Sequence, residues 1–256
     1  MRHIYVEGIY GLGDTLFQIA TAVHYQDVCG GEIILCDNER IRFGTSHSFG
    51  RTKTFREKGK KIPYTHTIFK WFRTYRMPRR FTCAHHDGDA TEIRPLEENE
   101  HILIHGSCQS QVLYRPYIRA IPRYLCLDDE TIRTYLQDKY PNIEEGIMVG
   151  WDRVRTPQIY SHALSMIRQQ GISLEHLFVV SDTSNVCLGT EMCDLFQLYA
   201  GMMCRYYLIG ESVFHLWVAY LGTIDNARDK RVFVFDNSYV TNHALALDDW
   251  IQIITD

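Results

Sequence analysis

Gly8, Gly11 and Gly13 follow the first apolar run of this chain in quick succession. Glycines that close together let a chain turn sharply from a strand into a helix. A helix opening there can cradle a phosphate with its bare backbone N–H groups. A dinucleotide fingerprint would need a third glycine three residues beyond Gly13, where this chain has Leu16. Asp37 nevertheless lies at the end of the second apolar run, the place of a ribose-binding acid. The glycine segment therefore reads either as a phosphate-side turn or as a purely structural one. His85-His86-Asp87-Gly88-Asp89 gathers ligand types, but no second cluster at metal spacing completes it, so it reads as a polar surface turn and no metal is expected. The eight cysteines form no C-x-x-C pair and read as free, mostly buried thiols of a reducing compartment.

Charge is unevenly spread. Between Arg40 and Arg80 stand thirteen Lys/Arg and one acid, Glu57, leaving 14 basic and 30 acidic residues elsewhere. Such an excess reads as an arm or insertion, about 40–80, that meets an anionic acceptor or membrane surface, or as a solvated loop-rich face. Tyr64, Phe69, Trp71, Phe72 and Tyr75 near its end suggest that part of it packs. No apolar run approaches the roughly 20 residues of a membrane span. The N-terminal stretch has no apolar core of signal-peptide length, so the expectation is a soluble, cytoplasmic protein.

The elements that must position these residues alternate in type. His3–Val6 has strand composition, Leu16, Ala20 and Val23 stand at helical spacing, and Ile33–Leu35 is a short strand run. After the basic segment Ile102–Ile104 resumes as a strand, and Asp128–Tyr140 reads as a helix ending at Pro141. Strands are then expected at Ile147–Val149, Leu177–Val180, Tyr206–Ile209 and Val232–Phe235. Helices are expected at Gln158–Gln170, Asp194–Cys204 and Val213–Leu221, the last stopped by Gly222, with a terminal helix or turn from Asp248. This alternation predicts an α/β protein of parallel sheets flanked by helices, in two Rossmann-like halves. A boundary near Glu144–Gly146 divides it into residues 1–145, carrying the basic insertion, and 146–256.

Gly11-Leu12-Gly13-Asp14-Thr15-Leu16-Phe17-Gln18 resembles the G-L-G-N-Q-L-F-Q opening of α-1,2-fucosyltransferases, glycosyltransferase family 11. Further segments match in the same order. Gly106-Ser107-Cys108-Gln109-Ser110, followed by Tyr114, is similar to G-Y-W-Q-S, and Phe178-Val179-Val180-Ser181-Asp182 to F-x-V-F-S-D-D. Ser212-Val213-Phe214-His215-Leu216-Trp217-Val218-Ala219-Tyr220-Leu221 resembles S-T-F-S-W-W-A-A-Y-L, and Asp249-Trp250-Ile251-Gln252-Ile253 the closing tryptophan segment. The chain departs from the family where donor or acceptor would be handled. The turn Asn is Asp14 and the next Gln is Thr15. Gly150-Trp151-Asp152-Arg153-Val154-Arg155 replaces H-x-R-R-x-D, and Glu211-Ser212 replaces N-S.

The resemblance implies a GT-B type, inverting, metal-independent glycosyltransferase without a cofactor. Its C-terminal half would hold a nucleotide sugar, most simply GDP-fucose, and a glycan acceptor would enter the cleft between halves. Arg153 and Arg155 would offset leaving-group charge in place of a metal, or else pair with Asp152 or a neighbour. Gly11 and Gly13 fall on the donor side, with Ser212, Val213, Phe214 and His215. Ser212 can also cap the helix, Phe214 and Trp217 read as core rather than as ligand stackers, and His215 as a phosphate or hydroxyl partner or a half-buried helical residue. Asp182 would accept from a guanine edge or cap a turn. Asp14 would be the base that takes the acceptor proton, or the N-cap of the first helix. Two further readings stay open beside a different nucleotide sugar: a nucleotide- or glycan-binding protein whose catalysis has decayed, and a polyanion-binding module using the basic arm. Nucleic acid is not the expected partner.

Overall fold

The computed structural model describes residues 2–8, 12–36, 53–57, 60–64, 73–75, 84–86, 92–98, 100–110, 115–127, 130–152, 154–181, 194–224, 229–236, 238–242 and 245–254. The chain divides into two compact units, Met1–Asp129 and Glu130–Asp256.

In the first unit β1 (His3–Val6) leads into α1 (Leu12–Cys29) and β2 (Glu32–Cys36). Leu16, Phe17, Ile19 and Ala20 are fully buried, and the helix ends where Gly30 takes a left-handed φ of 68°. The chain continues through β3 (Lys53–Glu57), β4 (Lys60–Tyr64), β5 (Arg73–Tyr75), β6 (Ala84–His86) and β7 (Ile102–Ile104). Five of these strands form one parallel sheet in the order β5-β2-β1-β7-β6. The basic segment is not merely a loop-rich arm. β3 and β4 make an antiparallel hairpin with Lys53 opposite Tyr64, and β5 extends the sheet beyond β2. The expected turn at His85-His86 is likewise strand backbone over Ala84–His86, because it pairs with β7 and lengthens the sheet's other edge. Residues 87–89 of that cluster, and Asp37, lie outside the described residues.

In the second unit α2 (Glu130–Lys139) precedes β8 (Ile147–Trp151), α3 (Pro157–Gln169), β9 (Leu177–Ser181) and α4 (Asp194–Met203). There follow β10 (Tyr206–Ile209), α5 (Val213–Thr223), β11 (Arg231–Phe235), α6 (Tyr239–Asn242) and β12 (Ile251–Ile253). The sheet is again parallel, in the order β12-β11-β10-β8-β9. Ile147, Val149, Leu208, Phe233 and Phe235 bury against Tyr160, Ala163 and Ile167 of α3 on one face. Met148 and Tyr207, at the alternate positions, lie against α4 and α5. Strands covered on both faces need apolar residues at every position, hence runs such as Val232-Phe233-Val234-Phe235.

Three boundaries differ from expectation. The sequence reading places α2 with the first half. In the structure Tyr135 of α2 meets Phe196 edge to face at 5.7 Å, and the following Tyr140 meets Phe178 at 5.1 Å. Helix α5 runs past Gly222, which is there for space: Tyr207 Oη lies where a Cβ would go. The expected ending is a turn followed by strand β12, since Ile251–Ile253 finds an edge on β11. Cys36, Cys108, Cys126 and Cys204 are buried and Cys29 is half-buried. Among the described residues no helix is long and apolar enough to cross a membrane.

Candidate functional site

In an open parallel sheet, ligands collect beyond the carboxyl ends of the strands where the strand order reverses. Each unit has one such point, between β1 and β7 in the first and between β8 and β10 in the second. The segments that follow these four strands carry most of the candidate residues that the structure describes.

In the first unit, Glu7-Gly8 follows β1 and His105-Gly106 follows β7. Gln18, fully buried in α1, ties the two ends together: its Oε1 accepts from Gly8 N at 2.8 Å and its Nε2 donates to Gly106 O at 2.7 Å. Cys108 then takes a left-handed φ of 51°, a conformation rare outside glycine and asparagine, and its Sγ lies 3.4 Å from His105 O. The next residue, Gln109, donates from Nε2 to Asp14 Oδ1 at 2.9 Å.

Asp14 is therefore not an N-cap: it is the third residue of α1 and its carboxylate is engaged by a side chain from the segment after β7, the strand next to β1. Burial holds its pKa above the usual carboxylate range, with the Gln109 hydrogen bond opposing the shift. Gly13 is buried beside it in the first turn of α1, and Gly11 lies outside the described residues.

In the second unit Asp152 organises the crevice. It follows β8 and is 3% exposed. Its Oδ1 accepts from Val154 N and Arg155 N, both at 3.2 Å, and its Oδ2 accepts from Glu211 N at 3.2 Å. The Tyr160 hydroxyl accepts from Asp152 N and points its proton toward Gly150 O and Asp152 Oδ2. Burial first, and then the Asp152 charge, raise the Tyr160 pKa. One carboxylate thus fixes the loop after β8 to the loop after β10. Gly210 makes room for it: a Cβ there would stand 2.5 Å from Asp152 Oδ2.

Arg155 emerges from this loop and donates from Nη2 to Glu211 Oε1 at 2.7 Å. Its guanidinium lies 4.4 Å from the centre of the Phe235 ring, and its side chain is 8% exposed. Of the two alternatives for Arg155, the structure contains an ion pair, with Glu211 rather than with Asp152. Ser212 caps α5, its Oγ accepting from Phe214 N at 3.2 Å. Val213 is half-buried, whereas Phe214 and Trp217 belong to the core. His215 is buried completely, not by half, and stands over Gly150, whose missing Cβ would fall 2.6 Å from His215 Nδ1. Among the described residues neither ring nitrogen has a hydrogen bond of normal geometry, although the Val180 backbone stands close enough to favour the protonated ring. Burial pushes its pKa down to about 4, against the Asp152 charge and the Val180 backbone.

The structure thus gathers Arg155 and Ser212–His215 at one switch point and places Asp14 at the other. Arg153 and Asp182 lie outside the described residues. Sequence reasoning assigned no role to Gln18, Gln109, Tyr160 or Glu211, and named Asp152 only as a partner for one of the arginines. Gln18 and Gln109 stood inside matched segments and Glu211 beside one, which is a usable signal. Tyr160, in the middle of an ordinary amphipathic helix, offered none.

No family model matches the chain, and no curated protein matches it. Solved structures do match. The fucosyltransferase NodZ from Bradyrhizobium is 13% identical, with 85% of this chain and 92% of that one covered at a TM-score of 0.55. NodZ α-1,6-fucosyltransferase soaked with GDP-fucose is 14% identical, with 93% and 96% covered at 0.55. The same enzyme co-crystallized with GDP is 13% identical, with 85% and 91% covered at 0.51. This chain has their fold, the GT-B type with parallel sheets flanked by helices.

Proposed function

We propose that this protein is a glycosyltransferase that moves a sugar, most simply fucose, from a GDP-sugar to a saccharide hydroxyl. The observation that carries the reading is the double switch point. Two parallel sheets each reverse their strand order, and the residues beyond those reversals are a half-buried carboxylate in one unit and an arginine beside a capped helix start in the other. The likeness in fold to fucosyltransferases handled with GDP and GDP-fucose supports the choice of donor.

The second unit takes the donor. Helix α5 begins at Val213 behind the Ser212 cap, which takes the Phe214 N–H, and the positive end of the helix dipole together with Arg155 suits a diphosphate. In the transfer an acceptor oxygen attacks the anomeric carbon from the side opposite the diphosphate, so configuration inverts. The bond from that carbon to the diphosphate oxygen breaks, and GDP leaves with the electron pair. Asp14 receives the acceptor proton, with Gln109 holding Oδ1 in place. Arg155 and the N-terminal end of α5 meet the growing negative charge, without a metal.

Calorimetry and thermal shift against GDP, UDP and their sugars, with EDTA and then with Mg²⁺, test this. Selective GDP binding unaffected by EDTA, followed by slow release of GDP from GDP-fucose in water, is the expected result. Preference for another nucleotide would replace the donor. The Arg155–Glu211 pair favours one other reading, a nucleotide-binding protein without transfer, in which GDP binds but GDP-fucose stays intact.

A further inference from the structure

Arg155 reaches the residue just before the α5 cap, and it is already occupied. Glu211, the residue immediately before the Ser212 cap, holds its Nη2 at 2.7 Å, while Asp152 accepts its backbone N–H. Asp152, Arg155 and Glu211 together carry one negative charge. Among the described residues of these two loops, two acids and one cation are a poor reception for a diphosphate. The pair is also well sheltered: the Arg155 side chain is 8% exposed and stacked on Phe235, that of Glu211 is 23% exposed. Nor is Glu211 placed by accident of its rotamer alone. Its backbone N–H is held by Asp152 Oδ2, so its Cα is fixed within reach of Arg155. A guanidinium prefers a carboxylate or a phosphate in the same bidentate geometry, and the two compete for it.

We infer that Glu211 is a charge gate on the donor site, a specificity residue that sets diphosphate affinity by competing for the Arg155 guanidinium. The inference rests on the proposed donor role of this crevice. A diphosphate binds by displacing the Glu211 carboxylate from Arg155, and the carboxylate swings toward solvent, where it is already partly exposed. The gate favours donors whose sugar and base supply enough contact to complete the exchange, and it disfavours free inorganic diphosphate, which supplies none.

The test is GDP and inorganic diphosphate binding by calorimetry at fixed ionic strength, for wild type, Glu211→Gln, Arg155→Met and the double variant. Glu211→Gln should tighten GDP on the order of tenfold, a ratio equivalent to about 1.4 kcal/mol of relieved competition. It should tighten inorganic diphosphate at least as much, and the gain should shrink by half or more in the Arg155→Met background. Glu211→Asn is a second neutral variant should Glu211→Gln yield too little folded protein. GDP binding that is equal or weaker in the neutral variants, or a gain that is undiminished without Arg155, overturns the gate and leaves the functional reading standing. Failure of wild type and every variant to bind any nucleotide overturns both.

Discussion

His215 gives the most direct physical test of the second unit. Its imidazole is fully buried over Gly150, neither nitrogen makes a hydrogen bond of normal geometry among the described residues, and its pKa is pushed from the usual 6.5 down to about 4. The folded state thus keeps the ring neutral while the unfolded chain protonates it below about pH 6.5. The unfolded state binds the extra proton, so His215's contribution to stability is complete above that pH and falls as pH drops toward about 4. The whole loss is roughly 3 kcal/mol, of which about 2 kcal/mol falls between pH 7 and pH 5. Other groups titrate in that window, so the quantity to measure is a difference. Urea unfolding of wild type and His215→Leu at several pH values isolates it. At neutral pH the leucine variant should be close to wild type, since it fills the same buried space and removes ring nitrogens that are poorly satisfied there. At about pH 5 it should be the more stable by about 2 kcal/mol. A constant gap between the two proteins across this range would refute the burial of a neutral imidazole.

Four further outcomes follow from the same geometry. Asp14→Asn should lower the rate of GDP release from GDP-fucose by about 10²–10⁴-fold, the usual range for a lost base. In wild type kcat/KM should fall as the pH drops through the raised pKa of Asp14, and Gln109→Leu, by removing the hydrogen bond that opposes the shift, should move this limb to higher pH. Gly210→Ala puts a methyl 2.5 Å from Asp152 Oδ2, so it should cost roughly 1–3 kcal/mol in thermal or urea unfolding and weaken GDP, because both loops hang on that carboxylate. Gln18→Leu strands Gly8 N–H and Gly106 C=O, and urea unfolding should show a loss of about 1–3 kcal/mol.

Much of the second unit was legible beforehand because its strands and helices are strongly patterned. Leu177–Val180, Tyr206–Ile209 and Val232–Phe235 fall in strands, and the Gln158–Gln170 helix is displaced by a single residue. The misreadings have a common physical cause. Gly222 looks like a helix stop until Tyr207, fifteen positions earlier in the chain and on a strand, is seen to need its space. Ala84-His85-His86 has no strand composition and becomes a strand through pairing with β7. Ile251–Ile253 is too short to declare itself without the edge of β11.

The candidate site divides along the same line. Asp14, Arg155 and Ser212–His215 could be picked out because each follows an apolar strand or opens a helix, and those positions depend on residues close in sequence. The amino-acid sequence by itself determined the alternation of strands and helices, the glycines that permit close turns, and the unequal distribution of charge. Only the tertiary structure decided the strand orders and hence the two switch points. It also decided that Arg155 meets Glu211 56 residues away, that Gln109 reaches Asp14 across 95, and that His215 is sealed over a glycine. Periodicity is written by neighbours a few residues apart. Pairing, burial and the pKa shifts that burial brings come from groups remote in the chain, and they exist only after the sheet has closed around them.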